Sequence, residues 1–144
     1  MNVYLDIDGV LLVNDNNLAN YAHEFLVYVT SHHPTYWLTT HCRGDIEYTN
    51  EFVKRTFPQR TLEVTKLILP TNWRTNKTEA IDFSQPFLWF DDDLFEEERL
   101  ELVKHNVLDN WIEVDFRKDI NYLQRFLVSF PIPIDLVRKP QRIG

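Results

Sequence analysis

The chain of 144 residues has a single cysteine, Cys42, and only three glycines, at positions 9, 44 and 144. One cysteine cannot form an internal disulfide bond, and without a cysteine cluster a cysteine-bound structural zinc is excluded. Dinucleotide-binding fingerprints and Walker-type phosphate loops need several glycines for close backbone approach to phosphates. Both of these nucleotide-binding classes are therefore excluded.

Long hydrophobic runs are also missing, since no apolar stretch approaches the roughly 18–20 residues that cross a bilayer. Residues 1–6 contain no basic residue and already include a carboxylate, Asp6, whereas a signal peptide begins with a basic segment. The sequence therefore predicts a cytoplasmic protein without a membrane partner. A net charge of −7 argues against non-specific binding of nucleic acid over the whole surface. An acidic protein that acts on phosphates needs a divalent cation to offset the charge.

Short apolar segments alternate with amphipathic ones along most of the chain. The length fits one domain, which we place at residues 1–130, followed by an irregular tail at 131–144 that contains prolines and arginines. Several strands are apolar throughout, which is typical of a parallel sheet covered on both faces. We expect an α/β fold of three layers, with helices on both faces of a mostly parallel, five-stranded sheet and no cap domain. The predicted strands are residues 2–7, 36–38, 62–69, 87–90 and 111–114.

Three of the amphipathic segments begin with polar residues that favour helix N-termini. Asp45 is expected to cap a helix that runs to about residue 57. Asn76 and Glu79 have the spacing of a capping box, which predicts a short helix beginning at Lys77. Asp93 and Glu96 have the same spacing and predict a helix to about residue 105.

Pairs of carboxylates follow two of the buried strands, and such strand ends are where parallel sheets bind ligands. Asp6 and Asp8 follow the first strand, and Asp91 and Asp92 follow the strand at 87–90. The alternatives are a solvated turn for the first pair and helix capping for the second. Desolvation of Asp6 directly after an apolar strand is costly and favours a site. All four ligands would be hard oxygen donors, which select Mg²⁺, or Mn²⁺ as a substitute.

A hydroxyl also follows the strand at 36–38, and we prefer Thr39 to Thr40 because Thr39 comes directly after the apolar run. Trp73 and Arg74 could stack on a base. Four loop residues are candidates either for substrate contact or for plain surface: His41, Arg43, Trp73 and Arg74.

Taken together, four segments resemble the motifs of the haloacid dehalogenase-like (HAD) hydrolase superfamily, in the right order and over most of the chain. The first is Asp6-Ile7-Asp8-Gly9-Val10, and the second is Trp37-Leu38-Thr39-Thr40. The third is Lys77, and the fourth is the apolar run at 87–90 followed by Asp91 and Asp92. Each motif is weak alone, but the four together are a strong signal.

This resemblance implies a phosphatase mechanism. Asp6 would be the nucleophile that forms an aspartyl-phosphate, and Asp8 would be the general acid and then the general base. Thr39 would hydrogen-bond a phosphoryl oxygen, and Lys77 would supply positive charge. Lys66 is the other candidate for this cation, and we prefer Lys77 because Lys66 lies within a predicted strand; a solvated role for Lys77 is the alternative. Mg²⁺ would be held by Asp6, the backbone carbonyl of Asp8, and Asp91 or Asp92.

The segments between the motifs are too short for the cap domain of many relatives, so the resemblance implies a small, capless phosphatase with an open site. The expected partner is a phosphate-ester substrate, with nucleotides and nucleic-acid ends as candidates, and no obligate protein partner is evident. A catalytically inactive HAD-like module that binds a phosphorylated partner is the alternative. The presence of both Asp6 and Asp8 argues against it, because a binding module needs no general acid.

Overall fold

Four parallel strands form the central sheet of the computed structural model, which describes residues 1–129. Among these residues, 3-10 helices occupy Lys77–Ala80 and Leu108–Asn110. The predicted tail at 131–144 lies outside the described residues. The other elements, in chain order, are β1 (Asn2–Leu5), β2 (Leu12–Asn14), β3 (Asn17–Leu18), α1 (Ala22–His32), β4 (Thr35–Trp37), α2 (Ile46–Thr56), α3 (Gln59–Thr65), β5 (Phe87–Asp91), α4 (Glu96–Lys104), β6 (Trp111–Glu113) and α5 (Tyr122–Ser129).

The strand order is β4-β1-β5-β6, and every pair in it is parallel. After β1 the chain continues to β4 at one edge of the sheet, and after β5 it continues to β6 at the opposite edge. The order therefore reverses between β1 and β5, where open α/β sheets place their ligand sites at the carboxyl ends of the strands. β2 and β3 form a separate antiparallel hairpin directly after the first of these ends.

Side chains that alternate along the central strands pack on both faces of the sheet. Leu5 and Phe90 join the core under α1 and α5, where Phe25 contacts Phe90 edge to face. Tyr4 and Trp89 point to the other face and pack in a second core that includes Leu102 of α4. The prediction of an α/β fold with helices on both faces is confirmed. No helix within residues 1–129 is both long enough and apolar enough to span a membrane.

The predicted strand at 62–69 is wrong, because its first half, residues 62–65, belongs to α3, and the described sheet has four strands rather than five. Pro58 precedes this helix, and Thr61 and Thr65, one turn apart, are both buried. Thr61 hydrogen-bonds to His23 of α1, at 3.1 Å between Oγ1 and Nδ1. Packing against α1 therefore overrides the strand preference of the segment's β-branched residues. Only Leu69 pairs with the sheet, through an isolated bridge to Tyr36 at the outer edge of β4.

Two of the three predicted helix N-termini are confirmed. The Asp45 side chain accepts a hydrogen bond from the Tyr48 amide of α2, at 3.1 Å. The Glu79 carboxylate accepts one from the Asn76 amide, at 2.9 Å, ahead of the 3-10 helix at Lys77. The prediction that Asp93 caps α4 is wrong, since its carboxylate accepts a hydrogen bond from the next amide, that of Leu94. At this helix the Phe95 amide donates instead to Glu98, at 3.1 Å.

Candidate active site

Three carboxylates converge at the carboxyl ends of β1 and β5. Asp6 follows β1, Asp91 is the last residue of β5, and Asp92 is the next residue. Each offers an oxygen, and these oxygens lie within 4.8 Å of one another. Asp6 and Asp91 are buried, whereas Asp92 reaches toward solvent. The central strands thus bring together three of the four carboxylates predicted as metal ligands.

The backbone holds Asp6 in place. Its amide donates to the Phe90 carbonyl oxygen at 3.1 Å, which extends the pairing of β1 with β5 by one residue. Its Oδ1 accepts a hydrogen bond from the Ile7 amide at 2.8 Å. The hydroxyl of Thr39, which is fully buried, also hydrogen-bonds to the Asp6 carboxylate. The other carboxylate oxygen, Oδ2, faces Lys77 at 3.5 Å.

Lys77 is the cation of this cluster. Its Nζ is 2.6 Å from Oδ2 of Asp91 and 3.5 Å from Oδ2 of Asp6, and its side chain is only 12% exposed. Burial alone would lower the pKa of Lys77, but the carboxylates of Asp6 and Asp91 outweigh it and raise that pKa. The ammonium therefore stays charged. The alternative cation, Lys66, is exposed at the end of α3 and pairs there with Glu63.

Asp91 has the most crowded carboxylate. Its Oδ2 accepts hydrogen bonds from Lys77 and, at 3.1 Å, from the indole Nε1 of Trp89. Its Oδ1 accepts from the backbone amides of Asp92 and Asp93. Burial, with the nearby charge of Asp6, raises the pKa of Asp91 to about 7 despite these donors.

The raised pKa values of the carboxylates have a common cause. Burial, with the hydrogen bond and negative charge of Asp91, raises the pKa of Asp92 to about 6. Burial also raises the pKa of Asp6, although Lys77 opposes this shift. When all the groups are ionised, three carboxylates face one ammonium, which leaves two uncompensated negative charges. A divalent cation would offset them, and a donor set made only of carboxylate oxygens fits Mg²⁺ or Mn²⁺.

The Asp8 carboxylate is not part of this cluster. Its side chain is 60% exposed, and its Oδ2 lies 2.8 Å from Nε2 of His41. The His41 ring stacks on Phe52 of α2, with the ring centroids 3.7 Å apart and the planes 12° apart. These residues line a second cavity, of about 320 Å³, together with Arg55. The carboxylate of Asp8 is therefore directed toward a separate space beside the cluster.

A smaller cavity, of about 220 Å³, lies over the carboxylate cluster and includes Asp6, Lys77 and Asp91 in its walls; we call it the cluster cavity. Of the two candidate threonines, Thr40 lines this cavity, whereas Thr39 is buried against Asp6. Both threonines that follow β4 thus belong to the site. Thr40 is placed to contact a ligand in the cavity, whereas Thr39 contacts Asp6, the candidate nucleophile.

Trp73, a candidate for stacking on a base, lines the cluster cavity but exposes little of its ring. Trp73 is buried, and its Nε1 donates to the Cys42 carbonyl oxygen at 3.1 Å. The guanidinium of Arg43 lies over its ring, 4.1 Å from the centroid. Trp73 therefore supports an arginine beside the cavity rather than a ligand. Cys42 is a free cysteine and is buried.

Glu98 is a site residue that the sequence pattern did not identify, since it is one of three consecutive glutamates, Glu96-Glu97-Glu98. It is buried, and its carboxylate accepts hydrogen bonds from the backbone amides of Lys77 and Phe95, at 2.8 and 3.1 Å. Glu98 thus ties α4 to the 3-10 helix that carries Lys77. Local spacing gave no signal for the contact with Lys77, since that amide is 21 residues away in the chain.

Comparisons of the chain with protein-family models, with characterised proteins and with solved structures found no significant match. The functional argument therefore depends on the residues of the site. Those residues are a buried carboxylate cluster with one ammonium, a pair of threonines, and an exposed aspartate that contacts a histidine.

Proposed function

We propose that this protein is a magnesium-dependent phosphatase of the HAD type, which hydrolyses phosphomonoesters through an aspartyl-phosphate on Asp6. The observation that carries the proposal is the position of the Lys77 ammonium between Asp6 and Asp91, where Asp92 also contributes an oxygen to the cluster. This arrangement joins a nucleophile candidate, a cation-binding carboxylate cluster and a fixed positive charge in one cavity.

Asp6 is the nucleophile in this proposal. A carboxylate oxygen attacks phosphorus, the new oxygen–phosphorus bond forms, and the ester bond to the leaving oxygen breaks. The hydrogen bonds from Ile7 and Thr39 fix the orientation of the carboxylate before the substrate binds. Such pre-organisation reduces the entropic cost of the attack.

Asp8 is the general acid and base. In its acid form it donates a proton to the leaving oxygen, and the resulting carboxylate then takes a proton from the water that hydrolyses the aspartyl-phosphate. A group with this role must be able to exchange protons, and the exposed carboxylate of Asp8, outside the cation-binding cluster, meets that need. The cavity beside Asp8 gives the leaving group a way out.

The carboxylates of Asp6, Asp91 and Asp92 would hold Mg²⁺, and the backbone carbonyl of Asp8 stays a predicted ligand. When bound, the cation supplies a Lewis acid that offsets the negative charge of the phosphoryl group. Lys77 adds a positive charge on the same anion, and its contacts with Asp6 and Asp91 keep it in place. Thr39 holds Asp6, and Thr40 is the hydroxyl that lines the cavity.

The proposal is tested by the hydrolysis of a generic aryl phosphate. We expect turnover with Mg²⁺, its loss with EDTA, and its recovery when Mg²⁺ is added back. Asp6→Asn is expected to lower kcat by at least about 10³-fold, since it removes the nucleophile. Asp109→Asn is the matched control, because Asp109 is an exposed aspartate of the 3-10 helix at Leu108–Asn110.

A panel of phosphate esters extends this test to the substrate. It should contain nucleotides, sugar phosphates, and oligonucleotides phosphorylated at the 5′ or the 3′ end. If no ester is hydrolysed with Mg²⁺ present, and phosphoryl ligands still bind, the phosphatase proposal fails. The protein would then be the inactive phosphate-binding module that is the alternative.

A further inference from the structure

Arg43 places a second positive charge in the wall of the cluster cavity, on the loop that follows β4. The guanidinium is exposed, and no carboxylate lies within ion-pair distance of it among residues 1–129. Among residues 1–129, three other arginines pair with a carboxylate: Arg99 with Glu96, Arg117 with Asp115, and Arg125 with Asp119. Arg55, Arg60 and Arg74 are also outside such pairs, but they do not line this cavity. Arg43 thus keeps its charge available beside a cluster of acids without neutralising any of them.

The side chain of Arg43 is held before any ligand binds. Its guanidinium stacks on Trp73, and Nη1 donates to the Arg74 carbonyl oxygen at 3.2 Å. The two loops involved are joined further by the Gly44 amide, which donates to the Thr71 carbonyl oxygen at 2.8 Å. A guanidinium fixed in this way loses less conformational freedom when it binds an anion.

The remaining hydrogen-bond donors of Arg43 suit a phosphate. A guanidinium has five N–H donors in a planar fork that matches the oxygens of a phosphate, and a single donor is used by Arg74. Lys77 lies at the base of the cavity, whereas Arg43 is exposed at its rim. The two cations therefore serve different parts of a substrate, with the reacting phosphoryl group at Lys77.

We infer that Arg43 is a specificity-determining residue that binds a second phosphate of the substrate, so that the preferred substrates are phosphomonoesters that carry another phosphate group. This inference rests on the proposed phosphatase function and adds the substrate class to it. The second phosphate can belong to a small bisphosphate or to the first phosphodiester of a phosphorylated oligonucleotide. Both present the same chemistry to the guanidinium.

The test compares matched substrates with and without the second phosphate. One arm uses fructose 1,6-bisphosphate against fructose 6-phosphate, and the other uses a 5′-phosphorylated dinucleotide against the 5′-mononucleotide. We expect Arg43→Ala to lower kcat/KM for the member with the second phosphate about 10- to 100-fold more than for the member without it, as for loss of a charge-assisted hydrogen bond. The arm that shows this effect identifies the source of the second phosphate.

Two variants control the experiment. Arg43→Lys keeps the charge but loses the planar stack on Trp73, and an intermediate effect is expected. Arg60→Ala removes an exposed charge from α3, away from the cavity, and should leave the ratio of the two kcat/KM values unchanged. Thermal melting of each variant shows that it is folded.

An equal loss for both members of each pair, or no loss for either, would overturn the inference. If the wild type hydrolyses no ester, the proposed function fails, and binding then tests Arg43 separately. In calorimetry the wild type should bind the bisphosphate or the dinucleotide more tightly than the matched monophosphate, and Arg43→Ala should abolish that difference. The same preference in both proteins would reject the site.

Discussion

The carboxylate of Asp92 packs directly against the α-carbon of Gly9, so that a β-carbon at position 9 would overlap it. Gly9 also has a φ of +80°, which favours glycine over any other residue. The contact joins the loop after β1 to the loop after β5. Glycine at position 9 therefore leaves room for the Asp92 carboxylate, on the loop after β5, to approach Asp6 at the end of β1.

Gly9→Ala is expected to weaken divalent cation binding, because its methyl group would displace Asp92 from the cluster. It should also cost about 1–3 kcal/mol of folding stability through backbone strain. Gly44→Ala is the control, since Gly44 also has a positive φ, of +88°, but lies against Asn72 rather than against the carboxylates. Calorimetric titration with Mn²⁺ should show weaker binding for Gly9→Ala alone, and equal binding by both variants would contradict this account of Gly9.

His41 is expected to be a positioning residue for Asp8. Its Nε2 contacts the Asp8 carboxylate at 2.8 Å, and its ring is fixed by the stack on Phe52. His41→Asn should lower kcat by about 10- to 100-fold with alkyl phosphates, where the leaving oxygen needs a proton. The loss should be much smaller with an aryl phosphate whose leaving group departs without protonation, and KM should change little. The same loss for both kinds of ester would assign His41 a merely structural role.

The acidic cluster predicts a pH dependence of cation binding. Protons compete with the cation for Asp91 and Asp92, whose pKa values are raised to about 7 and about 6. Affinity for Mg²⁺ should therefore increase from pH 5 to pH 8. Calorimetric titrations across this range check the prediction, and an affinity independent of pH would exclude these carboxylates as ligands.

The metal-free protein should show the opposite trend in stability. Because folding raises the pKa of Asp91, its contribution is fully present below about pH 4 and is lost as the pH rises through about 7. Added Mg²⁺ should restore stability at neutral pH, since it binds the folded state. Thermal melting across this pH range, with and without Mg²⁺, measures both effects. Asp92→Asn should reduce the increase in melting temperature that Mg²⁺ produces.

Lys77→Met is expected to destabilise the fold by about 3–5 kcal/mol, because it leaves the buried carboxylates of Asp6 and Asp91 without their cation. Lys66→Met is the matched control: its pair with Glu63 is exposed and should contribute less than about 1 kcal/mol. Urea unfolding without metal measures both changes. If the two variants are equally stable, the ion pairs of Lys77 are not what stabilises the cluster.

The sequence was most informative where apolar strands end in polar residues. β1 and β5 are buried on both faces, which makes their apolar runs easy to recognise, and their parallel pairing brings Asp6, Asp91 and Asp92 together. Helix caps were also predictable where a side chain bonds to an amide a few residues away, as for Asp45. In both cases local sequence and tertiary structure favour the same conformation.

Predictions failed where a distant partner decides the structure. The segment at 62–69 has strand-forming residues, yet its first half packs against α1 as a helix. Glu98 looks like one more acid of a solvated helix, but it accepts a hydrogen bond from the backbone amide of Lys77, 21 residues away in sequence. Trp73 looked available for stacking because its partner Arg43 is thirty residues away in sequence. None of these partners can be identified from local spacing.

The most direct measurement is to trap the phosphorylated enzyme and locate the phosphoryl group. The protein is mixed with a phosphate ester and Mg²⁺, quenched in acid during turnover and treated with borohydride, and the modified residue is identified by peptide mass spectrometry. The account predicts modification at Asp6, and none in Asp6→Asn. Modification of a different residue, or continued turnover by Asp6→Asn at the wild-type rate, would contradict it.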